Sequence, residues 1–524
     1  MTAATRQARR FRLTLIAALA TAGCVISRGV AVSPLAPARS DSVSVTSPVK
    51  AHLVDASTVV FRQGVTVVRD TVRGAGERFD LMLGPATPVA QIPLDSVLAM
   101  ESFQTEISAG RTLLYSTLAT GATITGAVAL ICIADPKCFG SCPTIYADSG
   151  GVPVLEAEGF SGSISPLLEA RDIDRLRIPP DTTGRLHLQV WNEALETHFI
   201  NHLELLAVDR GPEELVLPDE RGRPVAVANE LPLGAAVDRS GRSLSSTLAR
   251  TDGDAFSSTA DRIAGTTASD LFDHIDVTVP SPRGADSAAL VLRLRSSLLN
   301  TLVFYDHMLA RPGARSLDWL AGEMTRLDRV AELGRWYNEY FGIRVAVHDG
   351  TEYRPAARFA DYGPIAWRDV AIVVPVPPGD SLRLRLSFLT DQWRIDRLAV
   401  AGRVRRAVAA SIPVESVTSR DGVLQADALT ALRAPDEHYL RTTPRQRFTA
   451  TFDVGRSAPG AHRTFLLASQ GYYIEWVRGS WMTGSRDTTT FVPSVETLVT
   501  AMREWAVQRD SMEVQFFRSR IPVY

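Results

Sequence analysis

Lysine is almost missing from this 524-residue chain: among 56 basic residues only Lys50 and Lys137 are lysines. A P-loop needs a lysine beside its Gly-rich turn, a kinase needs one on a strand, and a pyridoxal enzyme needs one for its Schiff base. Lys50 stands in a Ser/Pro/Val stretch and Lys137 beside Cys138-Phe139-Gly140-Ser141-Cys142, so these three classes are excluded. An excess of positive charge is lacking too, with 56 Lys plus Arg against 58 Asp plus Glu, which removes the electrostatic footprint of a nucleic-acid binder. Cysteine is scarce at four residues, so a disulfide-dense scaffold is excluded. What remains is ordinary globular composition, 45% hydrophobic and 22% charged, with material for about three domains.

Catalytic signatures are missing as well. Gly159-Phe160-Ser161-Gly162-Ser163 ends in Ser, and Leu467-Ala468-Ser469-Gln470-Gly471 starts with Leu, so neither is a G-x-S-x-G nucleophile elbow. His198-Phe199-Ile200-Asn201-His202 lacks the Glu of H-E-x-x-H and enters a strand, where a four-residue offset separates side chains by about 13 Å. Asp148-Ser149-Gly150-Gly151 and Asp252-Gly253-Asp254 read as turns rather than a protease loop or a calcium loop. No catalytic residue, metal ligand or cofactor is assigned.

The first residues form an address. Arg6, Arg9, Arg10 and Arg12 make a basic region, and Leu13 to Gly23 an apolar one too short to span a bilayer comfortably. This is a secretory signal over residues 1–23. Its end, Ala20-Thr21-Ala22-Gly23-Cys24, resembles the lipobox of bacterial lipoproteins, which implies acylation of Cys24 and attachment to a membrane; cleavage after Ala22 is the alternative. Cleavage before Cys24 removes four arginines and takes the formal charge from −2 to −6.

Residues 24–50 read as a flexible tether. Residues 51–105 follow a strand period and form a small β unit. Residues 110–134 are an apolar helix. Within it, the 22 residues from Leu113 to Ala134 carry no charge, enough for about 33 Å of helix, and either span a membrane or lie buried in a folded domain. A β-rich domain is expected over 135–285, with Leu186 to Val190 and Ile275 to Val279 alternating, and a long loop or a partly ordered excursion over 234–268. Residues 286–405 read as a β-sandwich with an inserted helical pair at 297–310 and 316–334. Residues 406–524 read as an α+β region, with two strands around Ser469-Gln470-Gly471 and a C-terminal helix capped by Ser494. The fold class is mainly β with helical insertions, α+β in sum.

Cys138 and Cys142 bracket a three-residue turn and are candidates for a local disulfide in an oxidising periplasm, with free thiols or a redox or metal role as the alternatives. The aromatic groups Trp336, Tyr337, Tyr340, Phe341 and Tyr472, Tyr473, Trp476, Trp481 either pack at element ends or stack on a ligand.

Several strings resemble a group of bacterial envelope lipoproteins: Ile92 to Val97 with Met100 to Phe103, Cys138 to Tyr146, and Asn192 to His198 leading to Leu203 to Asp209. The Asn192 to Asp209 stretch, with Asp391 to Asp396, is also similar to β modules that accompany tetratricopeptide and UnbV/ASPIC-type repeats. These likenesses imply an envelope β protein and transfer no catalytic residue. The expected role is a non-catalytic binding or structural module, held to the membrane by its lipid, with a protein or carbohydrate ligand and no nucleic acid. The alternatives are an envelope hydrolase with a site assembled from distant residues, or a membrane-spanning assembly component.

Overall fold

Alternating apolar residues build the frame. Ile275, Val277 and Val279 point into one core while Asp276 and Thr278 point away, and Leu186, Leu188 and Val190 do the same in another strand. The computed structural model describes residues 42–80, 85–102, 143–149, 152–360, 365–456, 460–483 and 489–518. Within them the strands form five antiparallel sheets.

Two pairs of sheets close into sandwiches. In the first, Ala170–Arg175, His462–Glu475, Glu196–Arg210 and Ala410–Pro413 lie side by side, with Leu440–Thr442 also paired to Glu196–Arg210. They face Ser416–Ser419, Arg447–Asp453, Arg185–Trp191, Thr144–Ser149 and Val152–Glu158 across a core of Leu188, Leu205, Phe448 and Leu467. The second sandwich lies within the chain of the first, between Arg210 and Ala410. Leu215–Pro218, Pro224–Leu231, Trp393–Arg406, Ser287–Ser296 and Arg368–Pro375 face Ala235–Asp238, Phe272–Pro280, Ser381–Leu389, Ile343–His348 and Tyr353–Phe359. Leu290, Ile372, Leu384 and Trp393 fill the space between them. Strands from both sides of residue 285, and from both sides of residue 405, therefore share sheets.

A third core joins the remaining parts. The N-terminal sheet, residues 42–102 with Val477–Arg478 at its edge, packs Phe61 and Met100 into one cluster with the helical insertion and the C-terminal helix Val495–Arg518. Residues 42–50 lie in or between the strands Ser42–Val45 and Val49–Leu53, so the expected tether does not extend through residue 50.

The helical insertion, set between the Ser287–Ser296 and Ile343–His348 strands, differs from a simple helical pair. A short α-turn at Leu299–Thr301 runs into a nine-residue π-helix, Leu302–Ala310. Arg315–Ala321 follows, a 3₁₀ turn at Glu323–Thr325 breaks the expected second helix after Gly322, and Leu327–Tyr340 continues past its expected end. The C-terminal helix begins as expected: the Ser494 hydroxyl accepts from the Thr497 amide at 3.2 Å. Among the described residues no helix is long and apolar enough to cross a membrane. The segment Leu113 to Ala134 lies outside the described residues.

The Ser469-Gln470-Gly471 string is not a turn. His462–Glu475 is one strand, and Gly471 is needed because a Cβ there would sit 2.3 Å from the Phe199 carbonyl oxygen and 2.9 Å from the Phe160 ring. The 234–268 excursion is ordered, contributing Ala235–Asp238, the helix Ala260–Ala264, and core residues Leu244, Leu248 and Phe256.

One turn recurs. Asp181, Asp219 and Asp238 are each followed three residues later by Gly and four later by Arg. Each carboxylate accepts from the amides at the second and fourth following positions at 2.8 to 3.0 Å, and Gly184, Gly222 and Gly241 adopt φ of +85°, +73° and +85°. This is a type I turn closed by a left-handed glycine, the geometry of a three-residue loop with a bulge.

Candidate functional site

The π-helix presents polar groups in two directions. A π-turn bonds residue i to residue i+5, so it brings Asp306 beside Arg311 where an α-helix would not. The Arg311 amide donates to the Asp306 carbonyl at 2.9 Å, and its Nε donates to Asp306 Oδ2 at 2.8 Å. Glu504, from the C-terminal helix, completes the group: its Oε2 lies 3.0 Å from His307 Nε2, and its Oε1 accepts from Arg311 Nη2. Burial and the Arg311 charge pull the His307 imidazole below its usual value, outweighing Glu504 and Asp306. One ligand atom each from Asp306, His307 and Glu504 lie within 4.8 Å of one another, a spacing that suits a metal ion. Arg311 already bonds both carboxylates, so the donor set is engaged by a guanidinium rather than open to a metal.

Two members of this group, His307 and Arg311, form one wall of a cavity of about 370 Å³. His307 and Arg311 face Thr489, Thr490, Ser494, Glu496, Thr497 and Thr500, with Phe491 and Val492 as the apolar part. The frame is held from behind. The Trp336 indole donates to the Ser494 carbonyl at 3.0 Å, Thr490 donates to Glu323 at 2.6 Å, and Phe491 packs edge-on against Trp319 and Trp336.

In the other direction Tyr305 reaches a buried carboxyl pair. Glu196 and Glu475 stand opposite each other on neighbouring strands, both fully buried. The Tyr305 hydroxyl donates to Glu475 at 2.8 Å, His198 Nε2 lies 2.6 Å from Glu196, and Arg478 lies 3.9 Å from Glu475. Burial first, and the neighbouring Glu196 second, hold the Glu475 carboxyl well above the usual range.

A second cavity, about 300 Å³, lies where the sandwiches meet, lined by Arg175, Arg177, Arg293 and Arg397 with Asp369, Leu215, Thr251 and Val291.

Cys24, Cys138 and Cys142 lie outside the described residues. His198 and His202 are in one strand with a bulge between them and do not converge. Ser161 is buried in a turn, Asp148 and Ser149 are in a strand, and the Asp252-Gly253-Asp254 turn is held by the Asp396 carboxylate, which accepts from the Gly253 amide at 2.8 Å. Trp336, Tyr337 and Phe341, like Tyr473, Trp476 and Trp481, are core side chains. Sequence reasoning missed Asp306, His307, Arg311 and Glu504. The available signal was a charged pair interrupting an apolar helix with an Asp-to-Arg spacing of five, which a 3.6-residue template does not register.

No family model matches the chain, and no curated protein matches it. A solved structure, the GH31 alpha-xylosidase from Xanthomonas citri, aligns over 82% of this chain and 38% of its own, at 8% identity and a TM-score of 0.15. At that score the likeness carries no argument, and the chain spans well under half the length of that protein.

Proposed function

We propose that the protein is a secreted, lipid-anchored bacterial envelope component that acts as a non-catalytic binding module for a hydroxyl-rich, carbohydrate-class ligand. One observation carries the reading: a guanidinium, a carboxylate, an imidazole and several hydroxyls line one cavity large enough for a small ligand, about 370 Å³. Groups that donate and accept within a few ångströms of each other suit vicinal hydroxyls, which do both.

Calorimetric titration of the full chain with a panel of neutral mono- and oligosaccharides tests it. Binding that falls about tenfold, or 1.4 kcal/mol, in Glu496→Gln and Thr500→Val supports the reading. Both residues lie at the cavity and outside the Asp306–Arg311–Glu504 network. Absence of binding across the panel, or affinity indifferent to both substitutions, removes it. The anchor is tested separately by fractionation, where Cys24→Ala releases the protein from the membrane pellet.

A hydrolase is the second reading, favoured by the His307–Glu504 hydrogen bond at the cavity wall. Turnover of a bound saccharide that disappears in His307→Asn would replace the binding reading with that one.

A further inference from the structure

The cavity between the sandwiches gathers like charge in an unusual way. Arg293 and Arg397 are directly opposite one another on neighbouring strands, and Asp369 is opposite Arg293 on the other side. Like charges in cross-strand register destabilise a sheet unless something neutralises them. Asp369 is shared: Arg175 donates to it at 3.1 Å from the first sandwich and Arg293 at 3.2 Å from the second. The Nε of Arg175 and of Arg293 are buried without a hydrogen bond, although Arg293 Nε lies 3.3 Å from Asp396. Arg397 reaches out to the exposed Glu230. Arg177 donates to the Leu155 carbonyl at 3.2 Å, and its Nε is 3.9 Å from Glu156, whose carboxyl burial pushes up. Four guanidiniums therefore line a cavity whose own lining holds one carboxylate, already divided between two of them.

We propose that this cavity binds the phosphoryl or sulfuryl group of an anionic ligand, at a site separate from the hydroxyl-lined cavity. Guanidinium forks match the oxygens of a tetrahedral oxyanion in pairs. The volume admits such a group with a small attached residue, Leu215 and Val291 giving the non-polar side. Binding exchanges the Arg397 contact with the exposed Glu230 for an anion inside the cavity, set between Arg397 and Arg293.

Titration of the full chain with inorganic phosphate, sulfate and a sugar monophosphate, at fixed ionic strength, tests this. Saturable binding of any of the three is expected. Preference for the sugar monophosphate identifies an esterified ligand, and equal affinity for inorganic phosphate identifies the free anion. Arg177→Ala with Arg397→Ala weakens binding about tenfold or more while the melting temperature without anion changes little. Asp369→Asn separates a binding site from an ion-paired seam. Removing the competing carboxylate tightens the anion about tenfold if the cavity is a site. If the arginines serve only to clamp Asp369, the same substitution lowers the melting temperature and creates no affinity. That outcome, or wild-type protein that binds none of the three anions, overturns the proposal.

Discussion

Glu475 is a carboxyl that the fold keeps protonated. It is fully buried, faces Glu196 across the sheet and accepts from Tyr305, so ionising it would place two negative charges side by side away from water. Its pKa is raised above the unfolded value near 4.5, so between that value and the folded one the native state binds more protons than the unfolded state. Stability from this group is therefore fully present below pH 4.5 and is lost as pH rises, with a slope of up to about 1.4 kcal/mol per pH unit. Asp174, buried beside Arg368 and Asp172, is raised to about 7 and adds a slope of the same sign below that pH. His202, His274 and His307, all lowered from 6.5, act with the opposite sign, also below pH 7. The difference between wild type and Glu475→Gln isolates this carboxyl at pH values above 4.5. Denaturant titrations there should show wild-type stability falling with pH relative to that of Glu475→Gln, which mimics the protonated carboxyl. An equal slope in both proteins would mean that Glu475 is ionised in the native state.

At the scale of the element, the recurrent Asp-x-x-Gly-Arg turn separates two physical reasons for a glycine at one position. Gly241 adopts φ +85° with open space where a Cβ would go, so Gly241→Ala costs only the left-handed conformation, about 1 kcal/mol. Gly184 has the same φ, but its Cβ would lie 2.6 Å from the Gly455 carbonyl carbon, so Gly184→Ala adds a backbone displacement worth about 1–3 kcal/mol more. Urea midpoints should rank wild type, Gly241→Ala and Gly184→Ala in that order; equal losses would show that the Gly455 backbone yields freely. These turns also mark what was legible. Period-two alternation announced strands such as Phe272–Pro280, and the Ser494 cap announced the C-terminal helix, because both signals are local. The Ser469-Gln470-Gly471 string misled because Gly471 serves a contact with Phe199 and Phe160, residues some 270 to 310 positions away. The π-helix escaped a 3.6-residue template for a related reason: beside the five-residue Asp306–Arg311 pairing, Tyr305 and His307 find partners at Glu475 and Glu504, far along the chain.

For the whole molecule the question is what holds the N-terminal sheet to the first sandwich. Besides the shared apolar core, a polar joint does so. Glu101, buried on the Val97–Ser102 strand next to the sheet's edge, takes Lys50 at 2.9 Å, lies 3.4 Å from His52, and accepts from Thr197 of the first sandwich. Trp476 donates to the same Thr197 hydroxyl at 3.0 Å and stacks on His52 with 3.6 Å between ring centroids. Burial alone would raise the Glu101 carboxyl, but His52, Lys50 and Thr197 together hold it at about 2. A depressed carboxyl contributes stability that is present above its unfolded value near 4.5 and is lost as pH falls toward 2. Lys50→Met leaves a buried carboxylate short of one cation, a loss of about 1–3 kcal/mol given that Lys50 is partly exposed. The loss should be local. Limited proteolysis at neutral pH is expected to open residues 42–102 of Lys50→Met before either sandwich, and the acid midpoint of that region should move up toward 4.5. Glu101→Gln with Lys50→Met, which removes the stranded charge, should recover much of the resistance. If sheet and sandwiches become sensitive together in Lys50→Met, the joint does not act as a separate fastening and the shared core alone makes the molecule one cooperative unit.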